Sequence, residues 1–352
     1  MVDWTSSMTQ TYEYYEVDPI TWKDKKKIDS ITSSSINRDL NTDTLESASI
    51  ECVDMFGETY IRIYLVTIQN GVTEKTPLGT FLLQTPSSSF DGKVKRVSVD
   101  SYSPLMELKE NPLPLGFALL KDENIMHNAY LIANEHCRCP VIETVSDKVL
   151  TGDFVSNTDD NYLIFLKDLL TQDNKEIGLD ELSRIIFKPI QDYEKLQPVY
   201  TFDDGNSSIL LPEITLKHDL YKIPNVVEII CLSDTNLLHA IVKNEDPGSP
   251  TSIQNRGREI KHLVTNLNLP GFPTQEQLDE YAENLLKQLS SIEYTITFSH
   301  GYCPVRIGDC VRLNYEKAGL KDVKAKIISQ SIKCSGGCQV NATAIFTKKL
   351  WK

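Results

Sequence analysis

Along residues 273–291 the apolar side chains Leu278, Tyr281, Ala282, Leu285, Leu286 and Leu289 recur at i, i+3, i+4, i+7, i+8 and i+11, the stripe of an amphipathic helix. Thr274 and Gln277 have the form of a capping box, and Pro273 stops the helix from extending backwards. In 292–299 the period becomes two: Tyr294, Ile296 and Phe298 alternate with Glu293, Thr295, Thr297 and Ser299, as in a half-buried strand. Beyond the Gly308-Asp309 loop come three more β-type runs, 310–315, 323–333 and 338–347, separated by 316–321 and by Ser335-Gly336-Gly337. The pattern predicts an antiparallel barrel or sandwich fed by one helix.

The N-terminal third carries the same two-residue period. An aromatic run with Tyr12, Tyr14, Tyr15, Val17 and Trp22 leads through a turn at Asp18-Pro19, and β-type runs follow at 28–36, 45–53, 60–68, 78–84 and 94–101. Strands at short spacing with turn residues between them predict an all-β module over 1–110. The Pro- and Gly-rich connector 111–116 marks a boundary. Helical periods at 124–137 and 161–170, with polar loops and the short apolar run 208–211, predict a mixed α+β insert over 111–220. Residues 221–352 form the third segment, a second β-barrel module with strands in 221–243 and 292–347. Between them lie an apolar-poor stretch at 245–257, read as a long exposed loop, and the helix, together spanning 244–291. The fold class expected is therefore mainly β, with an α+β insert and two β-barrel or sandwich modules at the ends of the chain. No sequence repeat supports the architectural echo between the ends.

Composition narrows the chemistry. The chain has 352 residues, 40% of them hydrophobic, enough for more than one buried core. Its 36 Lys and Arg against 49 Asp and Glu give a net charge of −13, opposed to tight binding of phosphates. The first residues lack a signal-peptide pattern, and no apolar run approaches the ~20 residues that span a bilayer, so a soluble chain without membrane insertion is expected. The eight cysteines have no framework spacing, and reduced thiols are expected. A Cys334–Cys338 disulfide across the turn is sterically conceivable, and a reducing compartment disfavours it.

Candidate sites are few. His136, Cys137 and Cys139 with Cys334 and Cys338 carry the ligand types of a zinc site, but Cys-x-Cys and Cys-x3-Cys are not the Cys-x2-Cys knuckles of such sites. His136 and Cys137 are helix neighbours pointing about 100° apart, which excludes a dyad between them. No nucleophile elbow, metalloprotease helix, P-loop or dinucleotide fingerprint occurs. Lys23, Lys25, Lys26 and Lys27 read as a solvated edge. No catalytic, cofactor or metal residue is assigned, and no enzymatic activity is expected. Whether Tyr12, Tyr14, Tyr15 and Trp22 line a groove or pack a core stays open at this level, with the core favoured.

Three stretches resemble the hub proteins of phage tails and baseplates, including the T-even baseplate hub and hubs of phage-like contractile particles. They are the run from Arg96 to Leu105 (RVSVDSYSPL), the strand Val226–Leu232, and the Leu-rich helix followed by Tyr294, Ile296 and Phe298 and by Pro304-Val305-Arg306-Ile307-Gly308-Asp309-Cys310-Val311-Arg312-Leu313. The resemblance implies a structural homotrimer in the virion, at the tail tip or baseplate, assembled in the host cytoplasm. Its partners would be the tail tube or distal tail protein above and a tip or spike protein below, with DNA only passing through the channel. A negative channel wall would keep DNA from sticking. The alternative is a tail-associated carbohydrate-binding or cell-wall-degrading component; a cytoplasmic enzyme of unfamiliar type is a further one.

Overall fold

The computed structural model describes residues 2–53, 57–90, 92–93, 95–221, 223–232, 237–265, 274–334 and 336–351. Pro273, Val94 and Ser335, used above as a helix stop, the start of a strand and part of a turn, lie outside them. The chain divides into two compact units, Met1–Ile214 with Phe298–Ala344, and Thr215–Thr297 with Ile345–Lys352.

The chain opens with β1 (Thr9–Val17), β2 (Asp24–Lys27), β3 (Ile31–Asp39), β4 (Glu46–Cys52), β5 (Tyr60–Gln69), β6 (Val72–Phe90) and β7 (Lys95–Tyr102). There follow α1 (Leu105–Glu110), β8 (Ala118–Leu119), α2 (Ile125–His136), β9 (Val141–Ile142), β10 (Phe154–Val155), α3 (Tyr162–Thr171), β11 (Lys175–Leu179), β12 (Ile185–Pro189), β13 (Tyr200–Asp203) and β14 (Leu210–His218). Next come β15 (Val226–Leu232), β16 (Leu237–Lys243), α4 (Ile253–Arg256), β17 (Lys261–Val264) and α5 (Gln275–Leu289). The last strands are β18 (Ser291–Gly301), β19 (Cys310–Tyr315), β20 (Leu320–Cys334) and β21 (Cys338–Lys349). The protein is mainly β, as its alternating patterns predict. Among the described residues no helix is long and apolar enough to cross a membrane.

The largest sheet has the order β14-β18-β21-β20-β3-β4-β7-β6-β5-β1-β2, with β19 on β20 and β13 on β19. No pair among the described residues closes this path into a barrel. Strands from both ends of the chain meet in it: β20 runs antiparallel to β3, with Ile332 opposite Ile36. The inward positions Ile36, Ile50, Ile63, Phe81, Val99, Ile332 and Val340 form one apolar core. A second core gathers Leu105 and Leu108 of α1, Ile125 and Ala129 of α2, and Leu163, Phe165 and Leu166 of α3 around Trp22 and Tyr60. The helices α2 and α3 start where the sequence marks them. Asn124 accepts from the His127 N–H at 2.8 Å and Asn161 from the Ile164 N–H at 3.0 Å, each satisfying a free helix donor.

In the second unit the sheet β16-β15-β17 pairs β15 antiparallel with β16 and parallel with β17. Leu278, Ala282 and Leu286 of α5 pack on Val227, Ile229, Cys231 and Ala240. The capping box forms, with Thr274 and Gln277 each accepting from the other's backbone N–H. The segment 245–257 is exposed over much of its length, as read from the sequence, but Ser249, Thr251 and Ser252 are buried and the segment contains α4. Its polar side chains bond within the segment and to its base. Asn244 donates to Ser249 Oγ at 2.9 Å, and Asn255 donates to the carbonyls of Pro247 and Ser249 at 2.9 and 2.7 Å. Turn-forming side chains that satisfy local backbone can be buried, so the polar composition misled at those three residues.

Candidate functional site

In the first unit a groove of about 840 Å³ is walled by Ile20, Glu58, Glu107, Glu110, Glu135 and Arg138. His136, Cys137 and Cys139 also line it. The tail of α2 thus delivers three of the five residues considered for zinc, but Cys334 and Cys338 belong to the other apolar core. Among the described residues no three His, Cys, Asp or Glu side chains group as metal ligands.

Local contacts account for each of the three. The His136 ring stacks on Tyr162 with centroids 3.7 Å apart. The Cys137 thiol donates to the Pro104 carbonyl at 3.4 Å and lies 3.3 Å from the Cys139 sulfur. Burial pushes the Cys139 thiol well above its ordinary pKa, and the adjacent Cys137 adds to this. Between the two cysteines, Arg138 is clamped by Glu107, which accepts from its backbone N–H at 2.7 Å and its Nε at 2.5 Å. A third bond joins Arg138 to Glu58 at 3.1 Å, and its guanidinium lies 5.2 Å from the centre of the Tyr60 ring. Glu107 sits on α1, a six-residue helix too short to show a period in the sequence.

The sequence reading also missed a buried ionic centre. Arg38 and Glu46 have side chains 1% and 2% exposed, with Arg38 Nε 3.4 Å from Glu46 Oε1. Arg306 donates to the same oxygen. The Arg38 guanidinium further donates to the Leu78 carbonyl at 2.6 Å and to Gln330 Oε1 at 3.3 Å. That carbonyl is available because of a bulge: Ile63 pairs with Gly79 and Tyr64 with Pro77, leaving Leu78 unpaired in the ladder. Gly79, at φ +151, is required there, since a Cβ would come within 2.7 Å of the Phe81 ring. Burial pushes Arg38 down and Asp309 up, and the Arg306 N–H donates to Asp309 at 2.7 Å. Held this way, these groups fix β3, β4, β6, β20 and the 304–309 turn to one another. The signal for Arg38 was present in β3, whose parity places it with Ile36 and Ser34 on the buried face.

The remaining candidates have structural surroundings. Lys25 and Lys27 pair with Glu16 and Glu13 on the edge strand β2, which the sequence reading had placed ahead of a strand. Tyr14 and Trp22 are core residues, and Tyr12 packs against the first core. His300 is fully buried between Phe202 and Phe298. Its Nδ1 lies 2.6 Å from the Gly301 carbonyl, which can only accept, so Nδ1 carries the proton and Nε2, without a partner, is the bare nitrogen.

No protein-family model matches the sequence, and no curated protein matches it. Solved structures do. The tail protein from Neisseria meningitidis MC58 superposes with a TM-score of 0.62 at 13% identity, over 96% of this chain and 97% of that one. The 43 kDa tail protein of prophage MuSo2 from Shewanella oneidensis gives 0.60 at 12% identity, over 95% and 97%. A chain of the Francisella PdpA-VgrG complex gives 0.57 at 10% identity, over 96% of this chain and 52% of that one. Identities this low speak for the fold alone. At that level the resemblance expected from the sequence holds, and this chain has the fold of phage tail proteins along nearly its whole length.

Proposed function

We propose that the protein is a non-enzymatic structural component of a phage or phage-like tail, the hub of the tail tip or baseplate. The observation that carries this reading is the match to two tail proteins of nearly equal length, end to end. Its interior supports the role: the buried polar groups of the first unit, Arg38, Glu46, Arg306 and Gln330, bond to one another and rigidify strands, as suits a load-bearing part. In this reading three copies form a ring that joins a sixfold tail tube to a tip or spike protein. A trimer meets a hexamer without mismatch when each copy offers two equivalent surfaces. The segments 1–110 and 221–352 supply them, and 111–220 lies away from the tube-facing rim. The net charge of −13 suits a channel through which DNA passes without sticking. The ring is assembled in the host cytoplasm and retained in the virion.

Light scattering at high protein concentration, alone and with the tube or tip protein, tests the reading alongside class averages from electron microscopy. Three copies and threefold averages are expected. A strictly monomeric protein under both conditions overturns it.

A further inference from the structure

We propose that Cys137 and Cys139 are a site of reversible oxidation, closing a Cys-x-Cys disulfide in the wall of the groove. Three observations place it there. The two sulfurs are already 3.3 Å apart, inside van der Waals contact, and need to approach by a little over 1 Å to reach the ~2.05 Å of a disulfide. Cys137, just after α2, has left the helix at φ −135 and ψ 134, and the chain bends at Arg138 and Cys139, which turns the two thiols toward each other. Both residues line the open groove, and Cys137, the more exposed of the two at 7% against 2%, is the one that meets an oxidant first. This differs from the sequence reading, in which Cys334 and Cys338 were the pair considered for a bridge.

The oxidant is a low-molecular-weight disulfide. The Cys137 thiolate attacks one of its sulfurs, forming a mixed disulfide and releasing one small thiol. Cys139 then loses its proton to solvent and attacks the Cys137 sulfur, releasing the second small thiol. Two protein thiols are oxidised and one small disulfide is reduced to two thiols, which balances the step. The ring closed is small, and strained disulfides are the readily reducible ones, so dithiothreitol reopens it. Closing it pulls on Arg138, the residue between the two sulfurs, and through it on Glu107 and Glu58.

The folded protein is incubated with oxidised glutathione, alkylated and cut with trypsin. Cleavage after Arg138 separates the two cysteines, so the disulfide appears as peptide 122–138 linked to peptide 139–148. This link is expected before any other, with loss of two of the eight thiols and recovery on reduction. In Cys139→Ser the expected product is a stable glutathione adduct on Cys137. Full alkylation of both residues after oxidation overturns the proposal, and so does a first link joining Cys334 to Cys338.

Discussion

Glu46 and Glu228 each contact two basic side chains, and the difference between their surroundings separates the two units. In the first unit Glu46 is 2% exposed and meets Arg38 and Arg306 in the interior. In the second, Glu228 lies on the outer side of β15 and accepts from Lys261 at 2.6 Å and His239 at 2.8 Å, with both partners nearly half exposed. The core of the second unit is apolar, α5 on a three-stranded sheet, with its charges outside. The first unit builds charge into its centre. A buried ion pair contributes little beyond what apolar residues of the same shape would, yet breaking one is severe. An exposed pair is weak and screened. Similar partners therefore have opposite consequences on removal.

The largest effect expected is at Glu46. Glu46→Ala removes the buried carboxylate that Arg38 and Arg306 share, which destabilises the first unit by roughly 3–5 kcal/mol. Urea unfolding monitored by tryptophan fluorescence checks this, since Trp22 is buried in that unit. The loss should persist in 1 M salt, because buried charges are poorly screened. A loss as small as that of a surface substitution would break the contrast.

A second, pH-dependent effect is expected at His300. Burial lowers its pKa from 6.5 to about 4, only partly opposed by the bond to Gly301. The folded state thus resists a proton that the unfolded state accepts. Stability from this residue is complete above pH 6.5 and falls as pH drops to about 4, by on the order of 3 kcal/mol in total. Carboxylates titrate in the same range, so the measurement is the difference between wild type and His300→Phe, a volume match for a site between Phe202 and Phe298. The variant should lose one proton's worth of slope between pH 6.5 and 4. Equal slopes would show that His300 is protonated in the folded protein.

The sequence disclosed elements better than their partners. The helix α5, its capping box and the run of β19 are visible because burial repeats at the period of the backbone, with Leu278, Ala282 and Leu286 on one face. No local pattern states that Ile332 will lie opposite Ile36, so the pairing between strands from the two ends of the chain was not legible. The six residues of α1 are too few to show a period, and with α1 the clamp of Glu107 on Arg138 was hidden. Arg38 was half legible: its parity says buried, but only the fold supplies Glu46, Arg306 and the bulged Leu78 carbonyl. The Cys137 and Cys139 pair was judged by zinc spacing alone, and the bend at Arg138 and Cys139 that brings the two sulfurs together has no local sequence signature.

The smallest effect, and the sharpest control on the comparison, is at Glu228. Hydrogen bonds from Lys261 and then His239 hold its carboxyl below the ordinary range. A depressed carboxylate pKa contributes stability above the unfolded value, which is lost as pH falls through the folded one. For a group in contact with solvent that contribution is small and screened. Glu228→Gln should therefore shift the urea midpoint of the second unit slightly at low salt and not measurably in 1 M salt. If Glu228→Gln instead destabilises as much as Glu46→Ala and does so at high salt, burial does not set the difference between these two glutamates.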